Sequence, residues 1–280
     1  MPLYLGPLGR MRQLRAPRPD VEIDHPRQGG THVALSGART VDYLGSRGEY
    51  EFSWTWLDDA ERDYLEALRD RHVRGPLRFV LPGWRTNRLS RQAASVGYGG
   101  RDLHGVTPTA GTTAPADAWP DDAPPAGDAL AWSGWAPGSA LRLDRDHPAP
   151  VLPGEVVTAS VYVQATHAIT VRITADLRTA TGYTAAINGT ATTLEPHAWS
   201  RLAVTVPTTA GVLGCSPAIV PTATPNPNAV VTVAAAQVEP GAAPSAWSLG
   251  GGAPVVAVDT MPITAARRGF SHPTLTLLEL

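Results

Sequence analysis

The sequence has no lysine, so all 23 of its basic residues are arginine. It has one cysteine, Cys215, which excludes an intramolecular disulfide and a zinc site built from several cysteines. No histidine or arginine adjoins Cys215, and we expect it to be a small buried residue without a reactive role. The formal net charge is only −2, which excludes a strong overall field that would attract nucleic acid or an anionic membrane.

Long apolar runs are missing as well. No segment approaches the roughly 20 consecutive apolar residues that a membrane-spanning helix needs. The N-terminal residues lack the basic and apolar regions of a signal peptide. We therefore expect a soluble chain that is made in the cytoplasm and not inserted in a membrane.

Sequence motifs of catalysis and metal binding are also absent. The eight histidines are scattered without a ligand spacing, and no nucleophile elbow or phosphate-binding loop lies between a strand and a helix. Glu155, Glu195 and Glu239 show no pairing of the kind that glycoside hydrolysis requires. We predict no enzymatic activity, no cofactor and no resident metal. Asp144 and Asp146 leave two readings open, a Ca²⁺ site or a plain polar turn.

Charge divides the chain into three segments. Residues 1–102 hold 16 arginines and 13 acids, residues 103–252 hold five and ten, and residues 253–280 hold two of each. The middle segment is rich in alanine, threonine, valine and proline, which are typical of short strands and turns. We place one domain boundary near residue 98 and the other at the triple glycine 250–252.

The first segment combines strands with one helix. Aromatic residues at every second position predict a strand with one buried face: Tyr50, Phe52, Trp54 and Trp56. A helix over about 58–73 follows, because Asp58 and Glu61 form a capping-box pair and Gly75 precedes a proline that ends it.

The middle segment repeats the strand pattern without a helix. Apolar and polar residues alternate in four stretches, 154–164, 169–173, 199–207 and 229–238. Strands at this spacing predict a two-sheet jelly roll. The last 28 residues are too few for a core of their own, so we expect them to add strands to the first module.

The predicted fold class is therefore mainly β. A split N-terminal β module, a barrel or sandwich with one helix, comprises residues 1–98 and 253–280. A jelly-roll β-sandwich of residues 99–252 is inserted in it.

Two parts of the chain resemble known families. Residues 20–90, with a Trp-rich strand, a capped helix and the closing stretch 75–89, resemble the N-terminal module of distal tail and minor tail proteins of tailed phages. The stretches 154–163, 199–206 and 236–247 are similar to jelly rolls of the carbohydrate-binding-module type. The ending at 236–247 is typical of that group, and it indicates the fold rather than a particular sugar.

The first resemblance implies a structural viral protein. Proteins of this type form an oligomeric ring at the tip of a non-contractile phage tail, joining the tail tube to the host-recognition apparatus. It implies a virion location, a homo-oligomer such as a hexamer or trimer, and tail-tube and tail-hub proteins as partners. The jelly roll would then serve host attachment, with a host-surface glycan as its candidate ligand.

Two other functions remain open at this point. One is a non-catalytic carbohydrate-binding protein with a β anchor domain. The other is a glycan-cleaving tail enzyme, for which the sequence offers no paired carboxylates.

Glycan binding would need exposed aromatic rings, since the C–H groups of sugars stack on aromatic faces. The candidates lie in turn-like or loop-like sequence: Trp119, Trp132, Trp135 and Tyr183. The alternative is that these rings cover the edge of the sandwich. Trp199 and Trp247 adjoin predicted strands, and we expect them in the core.

Four arginines near the N terminus form a candidate subunit interface: Arg10, Arg12, Arg15 and Arg18. Nearby prolines favour an extended surface arm that docks on a neighbouring subunit. Two alternatives are a basic channel wall facing passing DNA and inter-subunit ion pairs with acids such as Asp58 and Asp59.

Overall fold

The structure is a computed structural model that describes residues 2–42, 45–96, 105–121, 129–136, 138–184, 186–208, 210–222, 226 and 228–280. Strands dominate these ranges, as the sequence predicts for a mainly β chain, and the helices are α1 (Asp59–Arg69) and α2 (Arg91–Ser95). In chain order the strands are β1 (Leu3–Pro7), β2 (Arg12–Leu14), β3 (Glu22–Asp24), β4 (Arg27–Gln28), β5 (Thr31–Val33), β6 (Arg39–Val41), β7 (Gly45–Ser46), β8 (Glu49–Ser53), β9 (Leu57–Asp58), β10 (Leu77–Val80), β11 (Val106–Pro108), β12 (Thr112–Ala116), β13 (Ala129–Ser133), β14 (Leu141–Leu143), β15 (Ala149–Pro150), β16 (Val157–Ala165), β17 (Ile169–Thr179), β18 (Gly182–Tyr183), β19 (Ile187–Asn188), β20 (Thr192–Leu194), β21 (Ser200–Val206), β22 (Gly214–Pro221), β23 (Val231–Pro240), β24 (Val255–Thr260), β25 (Ile263–Arg267) and β26 (Phe270–Glu279). None of the helices in the described ranges has the length and apolar character to cross a membrane.

The chain divides into two compact units. One comprises Met1–Leu81 with Pro254–Leu280, and the other comprises Pro82–Ala253. The second boundary lies beside the triple glycine. The first lies at Leu81, earlier than the expected residue 98, and the contacts of the following segment explain the difference.

In the first unit, nine of the described strands form one large sheet in the order β2-β1-β10-β24-β26-β8-β3, and β25 and β9 also pair with β26. Strands β4 and β7 form a separate pair, and so do β5 and β6. The C-terminal strands lie within this sheet and not at its edge. Strand β24 pairs with β10, and β26 pairs with both β24 and β8. The C-terminal segment therefore completes the N-terminal module.

The alternating aromatic residues build the core of this unit. Tyr50 and Phe52 are buried. Both rings pack edge-on against Phe79 of β10, with centroid distances of 4.8 and 5.2 Å. Trp54 is buried as well. The predicted apolar face of β8 is thus the core face of the sheet.

Trp56 is an exception, because its ring is 43% exposed and not in the core as expected. Strand β8 ends at Ser53, and the left-handed backbone of Trp56, with φ of 65°, turns its side chain away from the core. Arg15 holds this conformation by donating from Nη1 to the Trp56 carbonyl at 2.6 Å. The guanidinium of Arg267 lies over the exposed ring, 5.1 Å from its centroid.

Helix α1 begins as the capping pattern predicts. The Asp58 carboxylate accepts a hydrogen bond from the backbone N–H of Glu61 at 2.8 Å. Leu65 and Leu68 are the buried residues of the helix. The helix ends before residue 73, since Arg71 has a left-handed φ of 58°.

The N-terminal arginines do not form an extended arm, and that part of the expectation is wrong, while their place at a subunit interface stays a prediction. Strands β1 and β2 are a hairpin paired into the sheet. The four guanidinium groups bond within the same unit: Arg10 to the Arg74 carbonyl at 3.1 Å, Arg12 to the Ala60 carbonyl at 3.4 Å, Arg15 to the Trp56 carbonyl at 2.6 Å and Arg18 to the Thr55 hydroxyl at 2.8 Å. Arg15 lies 4.0 Å from Asp58, one of the acids named in the ion-pair alternative, and both residues belong to the same chain.

The second unit is a two-sheet sandwich. We call the sheet with the order β11-β14-β22-β17-β18, joined by β15, β19 and β20, the front sheet. The back sheet has the order β12-β13-β23-β16-β21. The long strands alternate between sheets along the chain, which is the connectivity of the predicted jelly roll. Alternate side chains of both sheets fill one core, for example Val161, Ile173, Ile219 and Val233.

Residues 82–96 belong to this sandwich. Asn87 is buried, and its Nδ2 donates to two backbone carbonyls at 3.0 and 2.8 Å. Arg88 and Glu155 form a two-pronged ion pair with N–O distances of 2.5 and 2.7 Å. These buried polar contacts place the boundary at Leu81, before the change in composition.

Candidate functional site

The outer face of the front sheet is polar because β17 alternates strictly. One set of its side chains points into the core: Ile169, Val171, Ile173, Ala175 and Leu177. The set between them therefore points outward: Thr170, Arg172, Thr174, Asp176 and Arg178. Neighbouring strands add Arg142 from β14 and Ser216 from β22, which lies opposite Asp176.

Tyr183 lies on this face at the end of the β17–β18 hairpin, in register with Arg178. Its hydroxyl donates to the Arg145 carbonyl and lies 3.3 Å from Ser216 Oγ. The protein thus holds the hydroxyl, and the ring is partly exposed beside the guanidinium groups of Arg145 and Arg178. Burial raises the pKa of the Tyr183 hydroxyl, although the Ser216 hydrogen bond and nearby guanidinium groups oppose the shift. The hydroxyl therefore stays protonated at neutral pH.

Two guanidinium groups lie over this ring, and two more belong to the same face of the sheet. Arg145 and Arg178 lie 5.1 and 5.2 Å from the Tyr183 centroid. Arg142 Nε lies 3.4 Å from a carboxylate oxygen of Asp176. The guanidinium group of Arg172 makes no hydrogen bond or ion pair within the described ranges, and its Nε is buried. We call these arginines together with Tyr183 the arginine face.

The arginine face combines the two elements of a glycan site. A partly exposed ring offers a surface for sugar C–H groups, and guanidinium groups donate hydrogen bonds to oxygen atoms. Its carboxylate, Asp176, is committed to Arg142. The described residues of this face therefore hold no pair of free carboxylates that could catalyse glycoside hydrolysis.

Trp132 and Trp135, predicted as candidate sugar-stacking rings, are instead core residues. Trp132 is 0% exposed and Trp135 is 6% exposed. Their centroids are 6.1 Å apart, and the indole N–H of Trp132 donates to the Ala110 carbonyl at 2.8 Å. No ring face of either residue is open to a sugar, because both pack into the apolar centre of the sandwich.

Trp119 contributes to the cover of the back sheet. Its ring packs edge-on against Trp247 at 5.4 Å. Trp247 is buried against Tyr162 and neighbouring alanines on the outer face of the back sheet, and Trp199 packs partly buried on the same cluster. The segment that follows β23 therefore covers part of this face with the side chain of Trp247.

Three of the acids singled out in the sequence have structural partners: Asp144, Glu155 and Glu239. Asp144 accepts from the backbone N–H and the hydroxyl of Ser90 at 2.6 and 2.8 Å, at the start of α2. These bonds support the polar-turn reading of Asp144 over a Ca²⁺ site, and Asp146 is exposed beside it. Glu239 accepts from the Ser245 backbone N–H at 2.7 Å. Within the described ranges, no group of three His, Cys, Asp or Glu residues could hold a metal ion.

Of the predicted ligand-binding aromatics, Tyr183 alone lies on the arginine face. Sequence reasoning missed the arginines that share it: Arg142, Arg145, Arg172 and Arg178. The sequence held a signal for two of them, because the apolar alternation of β17 places Arg172 and Arg178 together on the opposite face of the strand. The neighbours from β14 and its turn could not be assigned without the strand order.

No protein family and no curated protein matches the sequence. Among solved structures, the CBM22-1 xylan-binding domain of Paenibacillus barcinonensis Xyn10C is similar, with 18% identity, 54% of this chain and 94% of that chain covered, and a TM-score of 0.40. The arabinose-bound α-L-arabinofuranosidase MgGH51 aligns with 13% identity over 55% of this chain and 26% of that one, with a TM-score of 0.43. The enzymatically active domain of tailspike protein 4 of bacteriophage CBA120 aligns with 12% identity over 53% of this chain and 21% of that one, with a TM-score of 0.35. These likenesses assign neither a ligand nor an activity to this chain.

Proposed function

We propose that this chain is a non-catalytic glycan-binding protein whose inserted sandwich binds sugar on the arginine face. The observation that carries the proposal is Tyr183, a partly exposed ring fixed by its own hydroxyl and flanked by two guanidinium groups. A ring that is held before the ligand arrives loses little conformational entropy on binding. The split β module then acts as the anchor that presents the sandwich.

The test is a binding panel of neutral and acidic polysaccharides from plant, bacterial and animal surfaces, titrated against the full chain. Tyr183→Ala removes the ring and should weaken binding on the order of tenfold, the loss expected for one aromatic contact. Tyr183→Phe keeps the ring and should retain most of the affinity. Trp119→Ala, on the back sheet, is the matched control and should bind as the wild type does.

Two results would contradict the proposal. One is the absence of binding to every polysaccharide of the panel. The other is equal binding by the wild type and Tyr183→Ala, with Trp119→Ala weakened instead. Release of reducing sugar from a bound polymer would overturn the non-catalytic part of the proposal and leave the binding part standing.

A second candidate is an assembly subunit of a phage tail tip. The observation that favours it is the position of β24 and β26 inside the first sheet, which makes the sandwich an insertion in the β module. Ring-forming proteins need such a self-contained module at each position of the ring. Sizing with light scattering and negative-stain imaging test it: a ring of several copies supports this candidate, and a monomer at high concentration contradicts it.

A further inference from the structure

The arginines of residues 103–252, the larger part of the inserted sandwich, are concentrated on one surface. Residues 103–252 hold five arginines against ten acids, so the segment as a whole is acidic. Four of the five arginines nevertheless belong to the arginine face. The fifth, Arg201, lies on the back sheet, where it donates to Ser160 Oγ at 3.0 Å and covers the ring of Tyr162. The arginine face is therefore a local positive region on a unit that holds nine arginines against 11 acids in all.

Three of its four guanidinium groups have no carboxylate partner among the described residues. Arg142 is paired with Asp176. Arg145 and Arg178 contact the ring of Tyr183, and Arg172 has no polar partner there. Asp146, the other acid of the adjoining turn, is exposed and forms no ion pair with them in the described ranges.

This arrangement carries an electrostatic cost. Guanidinium groups of like charge repel one another, and partial burial removes hydration without supplying a counter-charge. A ligand that brings negative charge would offset both effects. Sugar hydroxyls alone would supply hydrogen-bond acceptors and leave the repulsion in place.

We infer that the arginine face binds a glycan that carries carboxylate groups, a polymer with uronic acid units, and this inference rests on the proposed function. The planar guanidinium group matches a carboxylate through two parallel N–H donors, while Tyr183 takes the apolar side of the sugar ring. Arg145 and Arg178 lie at the ring, and Arg172 lies six residues from Arg178 along β17, roughly 20 Å away. Cations at this spacing suit a polymer with isolated carboxylates better than a densely sulfated one.

The experiment compares polymers that differ only in charge. Polygalacturonate, alginate and hyaluronate are each titrated into the full chain beside their methyl esters, which keep the sugar backbone and lose the negative charge. At least one uronate should bind. Its methyl ester should lose at least about tenfold in affinity, the loss expected for a charge-assisted hydrogen bond. Added NaCl should weaken the binding of that uronate, because salt screens the ion contacts.

Two arginine variants locate the effect. Arg172→Gln removes a cation without a described partner and should weaken uronate binding about tenfold. Arg201→Gln makes the same change of charge on the back sheet and should leave the affinity unchanged. Thermal unfolding of both variants checks that each is folded at the temperature of the titration.

The outcomes separate this inference from the proposed function. Binding of methyl esters or neutral xylan as tight as that of the uronates would overturn the inference and leave glycan binding in place. Dextran sulfate that binds as tightly as the best uronate would also overturn it, since charge density alone would then suffice. Equal losses in Arg172→Gln and Arg201→Gln would contradict the assigned face. No binding to any charged or neutral glycan would overturn both.

Discussion

At the scale of single residues, similar arginines serve different purposes in the sandwich. Arg88 is buried and held by both carboxylate oxygens of Glu155. Arg172 lies on an outer face and has no polar partner among the described residues. Substitution should therefore cost stability at the first position and ligand binding at the second.

Replacing Arg88 by alanine should destabilise the sandwich by about 3–5 kcal/mol, because Glu155 is left as a largely buried charge without its partner. Replacing both partners by apolar residues, Arg88→Met with Glu155→Leu, should recover much of that loss. Urea unfolding followed by tryptophan fluorescence measures both. An Arg88→Ala variant as stable as Arg172→Ala would show that the ion pair does not stabilise the fold.

Cys215 should be unreactive in the folded chain. Burial raises the pKa of its thiol from 9.0 to about 12, so the thiol stays protonated at pH 9, where half of an exposed thiol would be ionised. Labelling with a disulfide reagent at pH 9 should therefore be slow without denaturant and fast in urea. Fast labelling under native conditions would contradict the buried position.

At the scale of elements, alternation predicted which faces are buried, and it failed where the backbone departs from a regular strand. The apolar set of β16 lies in the core as expected: Val157, Ala159, Val161 and Val163. Trp56 left the core because a left-handed residue ended the alternation. Trp132 lies in the core because β13 pairs with β23 and Trp132 shares the inward face of β13 with Leu130. The glycines and serine around Trp132 suggested a loop and hid this strand in the sequence.

The start of α1 gives a prediction at this scale. Asp58→Ala removes the acceptor for the Glu61 backbone N–H and should destabilise the first unit by about 1 kcal/mol. Asp59→Ala also removes a first-turn acid but leaves the cap in place, and it should cost only a few tenths of a kcal/mol. Thermal unfolding of the two variants side by side is the measurement. Equal losses would mean that dipole charge, and not the cap, stabilises this end.

At the scale of the whole molecule, the order of domains followed from the sequence and the first boundary did not. The apolar C-terminal segment was too short for its own core, and this physical limit predicted its return to the first module. The boundary at Leu81 depends on the buried amide of Asn87 and the ion pair of Arg88, whose partners lie far along the chain. No local pattern encodes such distant partners.

Removal of residues 254–280 should unfold the first unit and leave the sandwich folded. The deletion takes away β24 and β26 and leaves β10 and β8 with unpaired edges inside the former sheet. Limited proteolysis of the truncated chain should then yield a resistant fragment close to residues 82–253. A truncated chain that keeps a protease-resistant N-terminal unit would contradict the split module.

Glycan binding on the arginine face is tested most directly by hydrogen–deuterium exchange of the full chain with and without the tightest-binding polysaccharide of the panel. Binding at the arginine face should slow amide exchange in β17, in the hairpin that carries Tyr183, and in the turn that carries Arg145. Exchange in the segment 241–249 over the back sheet should stay unchanged. Slower exchange in residues 241–249 together with unchanged exchange in β17 would contradict glycan binding on the arginine face.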